Sequence, residues 1–406
     1  MYQSRTIENY IKKIQNQFPV LLLTGARQVG KTTVLKHLSD DKRKYVTLDD
    51  PLILQLAKED PALFFQRFQP PLLIDEIQYA PELLPYIKII SDNSEEKGLF
   101  WLTGSQQFQL MKGISESLAG RVAILQLLGF SYKERIGKSS ESVPFLPNQD
   151  KAVSYKNSDM LNLEKLYKLI WQGSMPTIAI NEDMDRDLYY SSYLQTYLQR
   201  DVRDLAKVGD EIAFVRFLRI TASRTGQLLN YADLARDADI APNTAKNWIS
   251  ILLASGIIYL LEPYFNNITK RMVKTPKLYF LDTGLCAYLT GWSNPDTLES
   301  GAMSGAFFET WIVSEMLKSY LHNGLQPPFF FFRSDDKKEI DVLIETDGTI
   351  YPVEIKKTAS PSKNHITSFS LVEKFGKPVG LGGVVCLATE SLPITENAIS
   401  IPAGVI

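Results

Sequence analysis

The most specific chemistry in this sequence lies between Gly25 and Thr33, which read Gly-Ala-Arg-Gln-Val-Gly-Lys-Thr-Thr and fit the spacing G-x-x-x-x-G-K-[ST]. Gly25 and Gly30 let the backbone curl, so that the N–H groups of Ala26, Arg27, Gln28 and Val29 can turn inward toward phosphate oxygens. Lys31 would set an ammonium on the β and γ phosphates, and Thr32 a hydroxyl on Mg²⁺, with Thr33 next in line. Some forty residues on, the apolar run Leu72-Leu73-Ile74 ends in Asp75 and Glu76. Asp75 would hold the Mg²⁺ shell, and Glu76 would orient and polarise an attacking water. A third apolar run, Leu99 to Leu102, closes in Thr103-Gly104-Ser105. Ser105 or Thr103 could reach the γ-phosphate and the same water; a plain turn at Gly104 is the alternative. These spacings imply binding and hydrolysis of a nucleoside triphosphate, ATP with Mg²⁺.

Such residues need a rigid frame. Val20 to Thr24 has strand length, and the residues after Gly30 read as a helix whose N-terminus carries partial positive charge toward an anion. Further strands are expected at Tyr45–Leu48, Pro71–Glu76, Leu99–Ser105 and Val122–Leu128, with helical spacing between them. That alternation predicts a parallel sheet covered on both faces, with ligands at the strand C-termini. The 406 residues allow two to four domains, and 45% hydrophobic with 22% charged residues is an ordinary globular balance. A net charge of −2 argues against a general nucleic-acid coat. Cys286 and Cys386 stand a hundred residues apart in apolar settings, as two reduced thiols would. The longest apolar stretch, Ile251 to Leu261, falls short of the roughly 20 residues a membrane span needs. A soluble, cytoplasmic protein with no membrane partner is expected.

A second constellation lies near the end. Glu354 and Lys356 alternate along one expected strand and so share a face. If Asp341 on the preceding strand faces the same way, two carboxylates and an ammonium converge, the equipment of a Mg²⁺-dependent phosphodiesterase. An ordinary ion pair is the competing reading. In the middle of the chain, Tyr231 to Arg236, a turn through Pro242, and Asn243 to Trp248 read as two short helices. Downstream, Lys270, Arg271, Lys274 and Lys277 form an acid-free run that could lie over a phosphate backbone.

The succession GARQVGKTT, LLIDE, LTGS and SLAGR resembles the AAA+ ATPases, in particular a large bacterial and archaeal group. The resemblance gives Arg121 the place of a finger reaching a neighbouring subunit's γ-phosphate, which requires a homo-oligomer. Residues from Glu211 to Pro263 resemble a winged helix-turn-helix, a module that contacts DNA or protein. The pattern D-x₁₂-E-x-K from Asp341 to Lys356 resembles restriction-endonuclease-like enzymes, although Ile340 stands where proline precedes the aspartate in many; their early-helix glutamate maps onto Glu309. The implied fold class is α/β: a parallel-sheet AAA+ ATPase core (1–135), a linker (136–160), a helical segment (161–210), a winged helix (211–292) and a small α/β nuclease-like domain (293–406). The implied function is an ATPase whose nucleotide state controls how the C-terminal half grips a partner, with DNA the foremost candidate. An adaptor with an inert last domain and an ATP-regulated metal-dependent nuclease are the alternatives.

Overall fold

The computed structural model describes residues 2–105, 113, 114, 117–148, 161–181, 183–197, 210–265, 275–334 and 336–406. The first five strands are β1 (Val20–Thr24), β2 (Lys44–Thr47), β3 (Leu72–Asp75), β4 (Phe100–Gly104) and β5 (Val122–Gln126). They form one parallel sheet in the order β2-β3-β4-β1-β5. Both faces are apolar, and the alternation of side chains sorts them. Val20, Leu22, Leu72, Ile74, Phe100 and Leu102 pack with the helices Pro51–Glu59, Pro61–Arg67 and Leu83–Asp92. Leu21, Leu23, Leu73, Trp101 and Leu125 face the other way, toward Ile7–Ile14 and Lys31–Leu38. Two of these helices start at a proline behind an aspartate cap: Asp50 accepts from the N–H groups of Leu52 and Ile53, and Asp60 from that of Leu63.

The middle of the chain holds helices Leu163–Gln172, Pro176–Ile180, Arg186–Tyr197, Glu211–Ala222, Tyr231–Ala238 and Pro242–Ala254. The strands β6 (Gln227–Leu228), β7 (Ile258–Leu261) and β8 (Lys277–Phe280) make a small antiparallel sheet in the order β6-β8-β7. Trp248 holds the last of these helices inward, packing edge-on against Phe214 and Phe217. Asn243, Lys246 and Asn247 stay exposed on its outer side.

Helices Thr283–Leu289, Pro295–Ser300 and Ser304–Leu321 lead into a second large sheet. It contains β9 (Phe329–Arg333), β10 (Glu339–Thr346), β11 (Thr349–Ile355), β12 (Gly382–Cys386), β13 (Pro393–Thr395) and β14 (Ala398–Pro402), in the order β13-β14-β12-β11-β10-β9. A 3₁₀ stretch, Lys363–Phe375, lies between β11 and β12, and the β13–β14 hairpin closes one edge of the sheet. The four phenylalanines of β9 split by alternation: Phe329 and Phe331 enter the main core, while Phe330 and Phe332 pack on the opposite face with Tyr264 and Ile340. One apolar core runs from Ile7 through the middle helices to Ile406. Among the described residues no helix is long and apolar enough to cross a membrane.

Candidate functional site

The loop after β1 is shaped by what cannot fit there. A Cβ on Gly25 would lie 2.1 Å from the carbonyl oxygen of Leu127, and the φ of +149° is one that side chains disfavour. Gly30, at φ +91°, turns the chain into the Lys31–Leu38 helix. Gln28 between them also has positive φ, at 62°. Arg5, buried ahead of the first helix, fixes the loop from behind: Nη1 donates to Val29 O at 3.0 Å and Nη2 to Leu128 O at 2.7 Å. The turn after Ala254 presses on the loop from another side, since a Cβ on Gly256 would sit 3.3 Å from the Ala26 nitrogen. Lys31 is itself buried, its ammonium donating to Gly25 O at 3.0 Å and Ala26 O at 2.9 Å.

The pairing of β1, β4 and β3 brings the other expected residues to the same edge. Thr32 Oγ1 donates to Asp75 Oδ1 at 2.6 Å, so the phosphate loop and the acid-ended strand meet directly. Thr103 Oγ1 donates to the same oxygen, and Tyr45 of β2 donates to Asp75 Oδ2 at 3.0 Å. Burial, then the Asp75 charge, push the Tyr45 phenol up to about 12, so it remains a donor. Glu76 sits at φ 60°, a left-handed conformation costly for a residue with a side chain, and its N–H donates to Thr103 Oγ1 at 3.1 Å. Its Oε2 accepts from Gln78 Nε2 and, at 3.4 Å, from Ser105 Oγ. The two alternatives read from the sequence thus take different partners: Thr103 braces Asp75, and Ser105 touches Glu76. Arg27 reaches Tyr79 OH at 3.1 Å, while Thr33 is exposed on the helix. Thr32 and Asp75 are the donors a Mg²⁺ ion would use, hard oxygens already at contact distance, so this part of the site fits the ion.

Sequence reasoning missed Arg5, Tyr45 and Gln78. Gln78 follows the acid pair by two residues, which was the available signal; nothing in the sequence marks the other two.

Arg121 lies elsewhere. Its carbonyl accepts from Val20 N, so it stands where β1 and β5 begin, about 16 Å of strand from the loop. The guanidinium grips Asp92, with Nη2 3.0 Å from Oδ2, and donates to Ala119 O at 3.0 Å. It is not part of this chain's own loop site.

The C-terminal residues do converge. Lys356 Nζ lies 2.9 Å from Asp341 Oδ2 and 2.7 Å from Glu354 Oε2, which places both acids on one face of the sheet. Glu309 joins from the long helix, but through a residue given a different role from sequence. Lys277 was expected in an exposed basic run; it is buried in β8, 3.0 Å from Glu309 Oε1, 2.5 Å from Glu339 Oε1 and 3.9 Å from Asp341 Oδ1. Lys270, Arg271 and Lys274 lie outside the described residues. Burial alone would lower the Lys277 pKa, but the surrounding carboxylates override it and raise it. Burial and then Asp341 lift the Glu354 pKa to about 8, against the opposing pull of Lys356. Tyr279 donates to Glu309 at 2.6 Å and Ser368 to Glu354 at 2.7 Å. As they stand these four residues do not fit a metal: two ammonium groups occupy the space among the carboxylates, and among the described residues no group of three ligands is arranged to hold an ion.

Comparison with known proteins places these features. Residues 17–136 match the family model described as AAA domain. Residues 163–296 match Domain of unknown function (DUF8612), and residues 304–404 match Domain of unknown function (DUF4143). An uncharacterized protein of Mycobacterium tuberculosis is 28% identical over 394 residues, covering 97% of this chain and 82% of its own length. One from Methanocaldococcus jannaschii is 24% identical over 296 residues, covering 69% of this chain and 63% of that protein. Among solved structures, the Walker-type ATPase paby2304 of Pyrococcus abyssi aligns with a TM-score of 0.45 and 15% identity, over 71% of this chain and 96% of that one. With the phosphate loop, the acid-ended strand and the parallel sheet that joins them, the match over residues 17–136 marks this part of the chain as an ATP-binding domain of the AAA type.

Proposed function

We propose that the chain hydrolyses ATP at the edge of its parallel sheet and uses its nucleotide state to change how the C-terminal half holds a partner. The observation carrying the first part is the 2.6 Å hydrogen bond from Thr32 to Asp75, which unites the phosphate loop and the acid strand where phosphate-bound Mg²⁺ would be held. Bound there, the ion would neutralise charge on the phosphates. Lys31 would leave the carbonyls of Gly25 and Ala26 for β- and γ-phosphate oxygens, while the N–H groups of the loop bind the remainder. Glu76 would take a proton from the attacking water, and Ser105 would steady the Glu76 carboxylate. Arg121, at the far end of the sheet, would act only on a neighbouring copy.

The second part is supported by a buried chain of contacts. Arg5 touches the loop at Val29 and lies 3.1 Å from Glu134, which is 3.2 Å from His322 at the end of the Ser304–Leu321 helix. Thirteen residues before His322, the same helix carries Glu309 of the acid cluster. For the cluster, the lysine-filled arrangement favours a binding module over an active nuclease. The exposed Asn243, Lys246 and Asn247 favour DNA as its partner through a winged helix. The test is ATP turnover by the full chain with Mg²⁺, alone and with single-stranded, double-stranded or branched DNA. Turnover that one of these accelerates is expected. No turnover overturns the ATPase reading; turnover indifferent to all three turns the partner to protein.

A further inference from the structure

Gln78 is 9% exposed, and its amide is half satisfied. Nε2 donates to Glu76 Oε2 and lies 3.3 Å from Ser105 Oγ, whereas Oε1 is buried with no partner among the described residues. The assignment is fixed by chemistry: a carboxylate only accepts, so the amide nitrogen is the atom against Glu76 Oε2 and the oxygen is the unpaired end of the amide. A buried carbonyl left without a donor is costly, and a water satisfies it where the site is polar. Glu76 itself has Oε1 open among the described residues, with Oε2 taken by Gln78 and Ser105.

We infer that Gln78 positions both the attacking water and the Glu76 carboxylate that deprotonates it; the inference rests on the ATPase reading above. Nε2 holds Glu76 Oε2, which leaves Glu76 Oε1 for one hydrogen of the water, and Gln78 Oε1 accepts the other. With both hydrogens held, an oxygen lone pair is directed at the γ-phosphorus. The water oxygen bonds to phosphorus as the bond from phosphorus to the β–γ bridging oxygen breaks. The electron pair of that bond leaves on ADP, and the water's proton passes to Glu76. Gln78 neither gains nor loses a proton, so it is a positioning residue. Its neighbour Ile77 is fully buried, and the short 3₁₀ turn Ile77–Tyr79 anchors the amide on the rigid end of β3.

The test uses the full-length chain, Mg²⁺ and ATP, with Gln78→Leu and Gln78→Glu compared by steady-state turnover, nucleotide binding and melting temperature. Gln78→Leu should lower kcat roughly 10–100-fold while KM and ATP affinity stay within about two-fold. Gln78→Glu keeps the shape and an acceptor but removes the N–H that holds Glu76, and should be slow as well. If Gln78 works through Glu76, Gln78→Leu should cost little more in a Glu76→Gln background, measured by single turnover. A kcat loss of the same size in both backgrounds, or one that tracks the melting temperature, overturns the inference. The two readings fail separately: turnover stopped by Lys31→Ala yet indifferent to Gln78 removes this inference alone, while absence of turnover in the unaltered chain removes both.

Discussion

A single buried carboxylate, Glu134, does more to hold the loop in place than its exposure or sequence context indicates. It is fully enclosed, receives the N–H groups of Thr6 and Ser131 at 2.7 and 2.9 Å, and lies against Arg5 and His322. Burial would raise its pKa, but Arg5 and then His322 outweigh burial and depress it. His322 is lowered by burial, and its Nε2 accepts from Leu128 N at 3.2 Å, so the neutral ring carries its proton on Nδ1, 3.2 Å from Glu134 Oε1. Both shifts act in the same direction. An acid depressed in the folded state and a histidine kept neutral there each bind fewer protons folded than unfolded, so their stabilisation is lost as pH falls. For His322 the loss begins near its ordinary value of 6.5, and for Glu134 near 4.5. A His322→Asn variant should therefore show a flatter fall in melting temperature between pH 7 and 5 than the parent (the window named by the histidine shift). Glu134→Gln strands the Arg5 charge and should cost ~3–5 kcal/mol in denaturant unfolding. A loss below about 1 kcal/mol would show that the pair contributes little. At the loop itself, Lys31→Ala should abolish ATP binding, and Glu76→Gln should keep binding while slowing turnover at least about 100-fold. Unchanged turnover in Glu76→Gln would remove that residue from catalysis.

Among the elements, β8 separates what the sequence discloses from what it hides. The phosphate loop and Asp75–Glu76 were readable because phosphate recognition needs consecutive residues or a strand end, and both survive as local spacing. The face shared by Asp341, Glu354 and Lys356 was readable for the same reason, as simple alternation along paired strands. Lys277 was not, because its setting comes from β8 packing against a helix that starts twenty-seven residues later. In sequence it sits at the end of a run of bases; in the fold it is the counter-ion of three acids. Arg5, Tyr45 and Gln78 are of the same kind, their roles made by elements far apart or by one amide's orientation. The last hairpin went unread because Pro393–Thr395 is short and Ala398–Pro402 offers only the three residues Ile399, Ser400 and Ile401 as alternation. The lysine predicts its own behaviour. With the loop site silenced by Asp75→Ala, Mn²⁺ titrated into the full chain should release no heat of binding at the acid cluster. Lys277→Met in that background should admit the ion, provided the domain still melts cooperatively. Mn²⁺ binding with Lys277 intact, lost on Asp341→Ala, would show that the ammonium does not exclude metal.

Across the whole molecule, one apolar core joins the ATP-binding part to the C-terminal sheet. Nucleotide binding should therefore stabilise the entire chain as one unit. Calorimetry should give a single transition that ATP moves upward, and a transition of the C-terminal sheet untouched by ATP would show the halves to be energetically separate. The Ser304–Leu321 helix is the direct connection. It spans about 27 Å, and Glu315, Lys318 and His322 on one side hold Tyr132 N, Phe130 O and Leu128 N. If Arg121 acts on a neighbour, ATP turnover per chain should rise with protein concentration, and Arg121→Ala should remove the rise without weakening ATP affinity. Turnover per chain that stays flat on dilution would leave Arg121 as a surface ion pair with Asp92.

The position of that arginine constrains what any such assembly can look like. The phosphate loop leaves the C-terminal end of β1, and Arg121 enters at the N-terminal end of β5 beside it, so donor and acceptor surfaces point away from each other. In an end-to-end stack, where the arginine end of one copy meets the loop end of the next, each contact joins one arginine to one loop. A chain in such a stack gives its arginine to one neighbour and receives from another. The association is then directional, with a leading and a trailing face. It closes as a ring if the turn per copy divides a full circle and otherwise runs on as a helical filament, whose last loop is always left without an arginine.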